Sequence, residues 1–389
     1  MYQFDEQHNR LNTNSYKWDK TKELYKIDQT DGFLPMWVAD MDFHVAPEIT
    51  AALQERLQNP IFGYSFPPAK LNEAIVDWYT KRHRWTFDRK QILHHAGVIP
   101  AIVSIIKTFT KEQDTVAISS PVYAPFQSIP ANLNRQVARV PLIEEDGEYR
   151  YDFNLLAEAF KEAKIYILCN PHNPGGIVWD AETLQRIIDL AIEHNVLILS
   201  DEIHADILFD KAYTPLQTLQ NVDQAQIITC LAPTKTFNLA SLHFAMMVPS
   251  NSELQKALEK EAMIHGRSNN EFAYVATLAA YTKGEAWLDA VLAYIRENMR
   301  IAVEGLNAID GVKAKMPDGT YLLWIDARET GIAEKELFEA LAKVGQLGLE
   351  KGSKFGAEGE GFYRMNLACP RAYVEEAVKR FKKTVESFK

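Results

Sequence analysis

Cysteine is scarce in this 389-residue chain, and its placement excludes two kinds of site. The three cysteines, Cys169, Cys230 and Cys369, lie far apart and in no CxxC spacing. Neither a disulfide framework nor a zinc site is therefore predicted. The acidic residues and the histidine of segment 201–206 also lack a metal-ligand spacing, so we expect no bound metal.

Positive charge is also in short supply. The 42 lysines and arginines are outnumbered by 52 aspartates and glutamates, which leaves a formal net charge of −10. Because no concentrated basic run is present to displace counterions from phosphates, a nucleic-acid partner is not expected.

Long apolar runs are missing as well. No stretch approaches the roughly 18 residues of a membrane span, and residues 1–10 carry charges where a signal peptide would place its apolar core. We therefore expect a cytoplasmic protein with no membrane partner. A strand–GxGxxG–helix segment is absent too, which makes a nicotinamide dehydrogenase a distant alternative.

The sequence does contain short aliphatic runs that alternate with amphipathic helical stretches. One such unit has a strand at 165–169, a turn at 170–176, a helix at 181–194 and a second strand at 196–199. Asp180 directly precedes the helix and suits its N-cap. Units of this kind are typical of a largely parallel sheet covered by helices, so the predicted fold class is α/β.

The predicted order of helices and strands changes after about residue 284. A long helical stretch at 285–307 leads into an alternation of helices and short strands, which is the order of an α+β unit outside the main sheet. We predict a large domain at 46–284 that holds the ligand site, and a small domain made of 1–45 with 285–389.

Polar residues follow several predicted strands at their carboxyl ends, where ligands bind in open parallel sheets. They are Gly97, Tyr123, Asn173, Asp201, His204 and Lys235. Together these residue types match the needs of pyridoxal 5′-phosphate (PLP): a lysine for its aldehyde, a carboxylate for its ring nitrogen and donors for its oxygens.

Lys235 and Asp201 carry most of this hypothesis. Lys235 follows the apolar run 226–231 and can bond covalently to an aldehyde and later move the Cα proton of a substrate. A lysine considered alone is more often a solvated surface residue. Asp201 follows an aliphatic strand and can pair with a protonated pyridine nitrogen, which keeps the ring an electron sink. Considered alone, it would equally suit the cap of a following helix.

Three further residues fit the same cofactor, and each has an ordinary alternative. Asn173 can donate to the phenolic oxygen, although Asn-Pro is also a common turn dipeptide. Gly97 precedes an apolar helix at 101–109, whose free backbone N–H groups suit a phosphate but are found at any strand-to-helix turn. Tyr123 can stack on the pyridine ring or simply pack within its loop.

Arg364 lies within a strand pattern of the predicted small domain. Its planar guanidinium suits the bidentate capture of a substrate carboxylate. An intramolecular salt bridge is the alternative, since a buried arginine needs a partner.

Matching segments spread along the chain point to a known family. They are 14–19, 36–43, 62–65, 97–100, 120–123, 170–176, 201–204, 234–238, 317–321 and 364–366. From about residue 10 to 370 the sequence resembles the fold-type I PLP-dependent enzymes, and within them the MalY/PatB branch of cystathionine β-lyase-like proteins. The segments 37–43 and 201–204 are the more specific to this branch, in which histidine replaces the tyrosine that aminotransferases place beside the phenolic oxygen.

The resemblance implies a small-molecule amino-acid substrate, a PLP-binding large domain and a homodimer in which Tyr64 of one subunit reaches the cofactor phosphate of the other. It makes Lys235 the catalytic residue. The cofactor-binding residues that it implies are Gly97, Val98, Ile99, Tyr123, Asn173, Asp201, His204, Thr234, Lys235, His243 and Tyr64. The substrate-binding residues that it implies are Arg364, Ala39, Tyr123 and Asn173. Ala232 and Ser241 depart from the pattern, because relatives often keep serine and glycine there.

The resulting hypothesis is an α,β-elimination on an L-amino acid that carries a thioether at Cβ, such as cystathionine, to give a thiol, pyruvate and ammonia. A class I/II aminotransferase is the alternative, because both reactions share every step through Cα deprotonation. His204 favours the lyase by resemblance alone. A third interpretation is a protein that keeps the fold for regulation or binding; the joint presence of the lysine, aspartate, asparagine and arginine weighs against it.

Overall fold

The structure is a computed structural model, and it describes residues 2–28, 30–265 and 269–389. The strands are β1 (Leu34–Pro35), β2 (Leu93–His95), β3 (Thr115–Ser120), β4 (Gln136–Pro141), β5 (Ile143–Glu145), β6 (Glu148–Arg150), β7 (Ala163–Cys169), β8 (Leu197–Asp201), β9 (Ile227–Leu231), β10 (Ala245–Pro249), β11 (Lys313–Ala314), β12 (Leu322–Asp326), β13 (Leu347–Gly348), β14 (Glu350–Lys351) and β15 (Phe362–Asn366). The helices are α1 (Tyr16–Asp19), α2 (Thr21–Tyr25), α3 (Pro47–Leu57), α4 (Ala69–His83), α5 (Val98–Phe109), α6 (Pro125–Asn132), α7 (Phe153–Phe160), α8 (Ala181–His194), α9 (Pro233–Thr236), α10 (Ser252–His265), α11 (Glu271–Lys283), α12 (Glu285–Asn307), α13 (Glu334–Lys343) and α14 (Arg371–Glu386).

A seven-stranded sheet in the order β2-β10-β9-β8-β7-β3-β4 forms the centre of the fold. From β9 to β4 all neighbours pair in parallel, whereas β10 is antiparallel to both of its neighbours. Every residue of β8 and β9 is buried. A strand that is covered on both faces is mostly apolar, which is why these strands begin with the aliphatic runs 197–199 and 227–228. The predicted α/β class is confirmed.

Helix α8 begins and ends as the sequence predicts. The Asp180 side chain accepts a hydrogen bond from the Thr183 N–H at 2.7 Å and thereby satisfies one of the free donors of the first turn. The helix buries an apolar face that includes Leu184, Ile187 and Ile188. That face packs with the core on one side of the central sheet.

A second sheet, in the order β11-β12-β15-β14, is antiparallel throughout. The N-terminal part of the chain is tied to this region, because β1 pairs in parallel with β13. In addition, the Asn366 N–H donates to the Met36 carbonyl at 2.8 Å. The division into a large and a small domain at the predicted boundaries stays a prediction.

No helix within the described ranges combines the length and the apolarity needed to cross a bilayer. The cytoplasmic location expected from the sequence stays a prediction.

Candidate active site

A cavity of about 520 Å³ lies beyond the carboxyl ends of the parallel strands. Its size falls within the usual range for small-molecule and cofactor sites. Twelve of the predicted site residues line it: Ala39, Gly97, Val98, Ile99, Tyr123, Asn173, Asp201, His204, Thr234, Lys235, His243 and Arg364. Tyr64 does not, because it lies in the extended segment between α3 and α4 with its side chain fully exposed.

Lys235 enters the cavity from α9, the short helix that follows β9. Its Nζ donates to the Ala39 carbonyl at 2.6 Å. Burial, together with the positive charge of Arg364, lowers the pKa of Lys235 to about 8. The amine is therefore far more readily available as a base or nucleophile than that of an exposed lysine.

Asp201 ends β8 and is also buried. Burial raises the pKa of its carboxyl to about 7, in spite of a 3.2 Å hydrogen bond from the Ile203 N–H and the charge of Lys235. A carboxylate that is this poorly compensated is suited to receive a cationic group from a ligand.

Arg364, on β15, lies buried against the same cavity. Its Nη1 donates to Asn173 Oδ1 at 3.0 Å and its Nη2 donates to the Trp37 carbonyl at 2.8 Å. Its guanidinium carbon lies 4.9 Å from the centre of the Phe355 ring. The Nε atom has no hydrogen-bond partner among the described residues, and the Glu350 carboxylate approaches only to 3.9 Å from Nη2. The intramolecular salt bridge that the sequence left as an alternative is therefore a long one, to Glu350. Arg364 still has N–H groups that can donate to the carboxylate of a substrate.

A backbone seat for an anion is formed where the chain leaves β2. Gly97 has φ 137°, a conformation that residues with a side chain rarely adopt. It precedes the first turn of α5, in which the N–H groups of Val98 and Ile99 have no intrahelical acceptor. Thr234 and His243 line the same cavity and add a hydroxyl and an imidazole.

His204 and Tyr123 contribute rings to the cavity wall. His204 Nδ1 has no partner within the described part of the chain. Burial and the positive charges of Lys235 and Arg364 lower the pKa of His204 to about 3, so the imidazole is neutral. Burial also raises the pKa of Tyr123, whose ring packs edge-on against Phe126.

The sequence did not single out part of the cavity wall. The residues concerned are Tyr16, Glu350, Lys354 and Phe355. Three of them come from β14 and the turn that follows it. They reach the site only because β14 pairs with β15 and so runs beside Arg364. This proximity leaves no spacing signal in the sequence.

The fold and this cavity define an α/β enzyme whose site lies at the carboxyl edge of a parallel sheet. The chain belongs to the aminotransferase class I and II family, which matches residues 35–381.

Individual relatives cover nearly the whole chain. Cystathionine beta-lyase PatB of Bacillus subtilis (strain 168) is 40% identical over 388 residues, which cover 97% of this chain and 98% of that protein. Protein MalY of Escherichia coli (strain K12) is 30% identical over 387 residues and 97% of each chain. The crystal structure of cystalysin from Treponema denticola, which contains a PLP cofactor, matches with a TM-score of 0.96 at 32% identity over 100% of both chains. The predicted fold-type I architecture and the resemblance to the MalY/PatB branch are confirmed.

Proposed function

We propose that this protein is a PLP-dependent carbon–sulfur β-lyase, which cleaves L-cystathionine or related L-cysteine thioethers to a thiol, pyruvate and ammonia. The observation that carries the proposal is the convergence of Lys235, Asp201 and Arg364 on one cavity. The identity with a protein named cystathionine beta-lyase over almost the full chain supports the lyase over the aminotransferase.

The residues present fit the cofactor. Asp201 offers a buried and poorly compensated carboxylate for the ring nitrogen. The first turn of α5 offers free N–H groups for the phosphate. Because Asn173 Oδ1 accepts from Arg364, its amide Nδ2 is the group that would face the phenolic oxygen. When bound, PLP would supply a conjugated cation that draws negative charge away from the substrate Cα.

The chain's own residues then have distinct tasks. Arg364 holds the α-carboxylate of the substrate and so fixes which Cα bond faces Lys235. Lys235, with its depressed pKa, removes the Cα proton. The electron pair left by that proton forms the Cα–Cβ double bond while the Cβ–S bond breaks and the thiolate leaves. The remaining three-carbon amine takes up water to give pyruvate and ammonia.

We further propose that the protein works as a homodimer in which Tyr64 completes the neighbouring site. Large apolar side chains are exposed along the segment between α3 and α4, namely Ile61, Phe62, Tyr64 and Phe66. Exposed apolar side chains concentrated in one segment are typical of an interface between subunits. A second subunit would cover this segment and bring the Tyr64 hydroxyl to the phosphate seat.

The test is to supply PLP-loaded protein with L-cystathionine, and in parallel with L-alanine, which has no leaving group at Cβ, plus a 2-oxo acid. We expect pyruvate and thiol in equal amounts from the first, and little amino-group transfer in the second. The matched control is Lys235→Ala, which should release neither product. Efficient transfer to the 2-oxo acid with no thiol release would instead favour the aminotransferase.

A further inference from the structure

We propose that Asp206 is a positioning residue for Lys235 and acts through the side chain of Thr236. The inference rests on the proposed function, because it assumes that Lys235 is the residue that bonds to the cofactor. Neither Asp206 nor Thr236 is among the described residues that line the cavity. Thr236 is the next residue after Lys235 in its short helix, so its bond to Asp206 is the route by which this pair would place the lysine.

The helix that carries Lys235 cannot hold its own position. Helix α9 has only four residues, Pro233–Thr236, and a helix of this length is not stable by itself. Its backbone makes few hydrogen bonds with the next residues of the chain, such as the one from the Phe237 N–H to the Pro233 carbonyl at 2.9 Å. The orientation of Lys235 must come from the side chains that anchor the neighbouring residues.

One anchor lies after the lysine and binds the loop that carries Ala39. Asn238 Oδ1 accepts from the Met41 N–H at 2.9 Å, and its Nδ2 donates to the Met41 carbonyl at 3.0 Å. This pair of hydrogen bonds ties the chain three residues beyond Lys235 to that loop.

Thr236 supplies the second anchor, directly beside the lysine. Its hydroxyl donates to Asp206 Oδ2 at 2.9 Å, and both residues are buried. A hydrogen bond to a buried carboxylate is stronger than one between neutral groups and is costly to leave unmade.

Asp206 is itself held firmly by helix α4. Its other oxygen, Oδ1, lies 2.7 Å from His83 Nε2 and accepts from Trp78 Nε1 at 3.0 Å. These contacts leave Oδ2 directed at Thr236. The carboxylate therefore transmits the position of a 15-residue helix to the turn that carries the lysine.

The segment 201–206, which contains Asp206, also carries two of the residues that are expected to contact the cofactor. Asp201 ends β8, His204 follows it into the cavity, and Asp206 comes two residues later. One short segment thus carries the ring-nitrogen partner, the phenolic-oxygen partner and, through the bond from Thr236 to Asp206, an anchor for the lysine. Such shared support keeps the reacting amine in register with the ring, and misplacement by about 1 Å is enough to slow a reaction strongly.

The experiment compares Thr236→Val, which removes the hydroxyl but keeps the shape, with Thr236→Ser, which keeps the hydroxyl. Thr384→Val is the matched control, because Thr384 is equally buried, donates to the Arg380 carbonyl at 2.7 Å and lies on α14. Cofactor-free protein is mixed with PLP, quenched with borohydride at intervals, and the covalent adduct is followed by mass spectrometry. Non-covalent PLP affinity and melting temperature are measured alongside.

We expect Thr236→Val to be captured about tenfold more slowly, and to lose about tenfold in kcat with KM unchanged. Thr236→Ser and Thr384→Val should stay within twofold of the wild type. If Thr236→Val does not fold, Thr236→Ala provides the same comparison. Capture by Thr236→Val at the wild-type rate would overturn the inference while leaving the proposed function intact, whereas wild-type protein that forms no adduct would overturn both.

Discussion

The burial of Asp201 predicts a conflict between stability and function at this position. In the cofactor-free protein its carboxyl must be dehydrated without a cationic partner of its own, which is why burial raises its pKa to about 7. Asp201→Asn removes the charge but keeps an oxygen that can accept from the Ile203 N–H. We expect this variant to be more stable than the wild type without PLP and unable to bind PLP tightly.

The size of the effect follows from the two pKa values. The folded carboxyl, with its pKa of about 7 against 3.8 as its ordinary value, binds a proton more tightly than the unfolded one. Wild-type stability therefore falls as the pH rises from about 4 to 7, and the whole penalty is present above pH 7. The linkage relation gives a penalty of about 4 kcal/mol at pH 8 and about 2 kcal/mol at pH 5.5.

The assay is urea denaturation of cofactor-free wild type and Asp201→Asn at pH 8 and pH 5.5. The free energy of unfolding of the variant should exceed that of the wild type by up to about 4 kcal/mol at pH 8, and by about half as much at pH 5.5. Asp206→Asn is the control in the same loop. There the hydrogen bond and charge of His83 outweigh burial and lower the pKa of the carboxyl, so its loss should destabilise the protein.

Two results would refute this reasoning. One is an Asp201→Asn variant that is less stable than the wild type at pH 8. The other is a difference in stability that does not change between the two pH values, because an effect independent of pH cannot come from the titration of this carboxyl.

Three further predictions concern the substrate and the second subunit. Co-expression of Tyr64→Ala with Lys235→Ala should restore about a quarter of wild-type activity, because half of the randomly assembled dimers contain one intact site. Arg364→Lys should lower kcat/KM about 100-fold for every amino-acid substrate, since an ammonium cannot replace the bidentate fork. Lys354 lies at the cavity with its Nζ 2.9 Å from Glu350 Oε1. Lys354→Ala should therefore lower kcat/KM about threefold for S-carboxymethyl-cysteine and leave S-methyl-cysteine unaffected.

Each of these has a contrary result. Co-expressed variants as inactive as either alone would place Tyr64 in its own subunit's site or in none. An Arg364→Lys variant with unchanged kcat/KM would mean that the carboxylate binds elsewhere. An equal loss for both cysteine derivatives in Lys354→Ala would indicate a general disturbance of the turn instead of recognition of a distal charge.

The boundaries of two elements show where sequence patterns stop being sufficient. Strand β8 continues two residues beyond the predicted end at 199, because Asp201 still pairs in register with Cys169 and Cys230 on the neighbouring strands. Helix α5 begins three residues before the predicted start at 101. Pro100 lies in its first turn, where the missing N–H has no intrahelical role. Local polarity alone placed the end of β8 too early and the start of α5 too late. Pairing with the neighbouring strands sets the first boundary, and helix geometry sets the second.

The sequence alone determined the sheet and the chemistry collected at its edge. Strands buried on both faces are mostly apolar, and the polar residues at their carboxyl ends meet at one edge because parallel strands all point the same way. Lys235, Asp201 and Asn173 could be placed together on that basis. Only the tertiary structure decided the contacts between distant segments, such as Phe355 beneath Arg364 and Asp206 beside Thr236. Such contacts form when packing brings two side chains within a few ångströms of each other. The separation of two residues along the chain does not predict that distance.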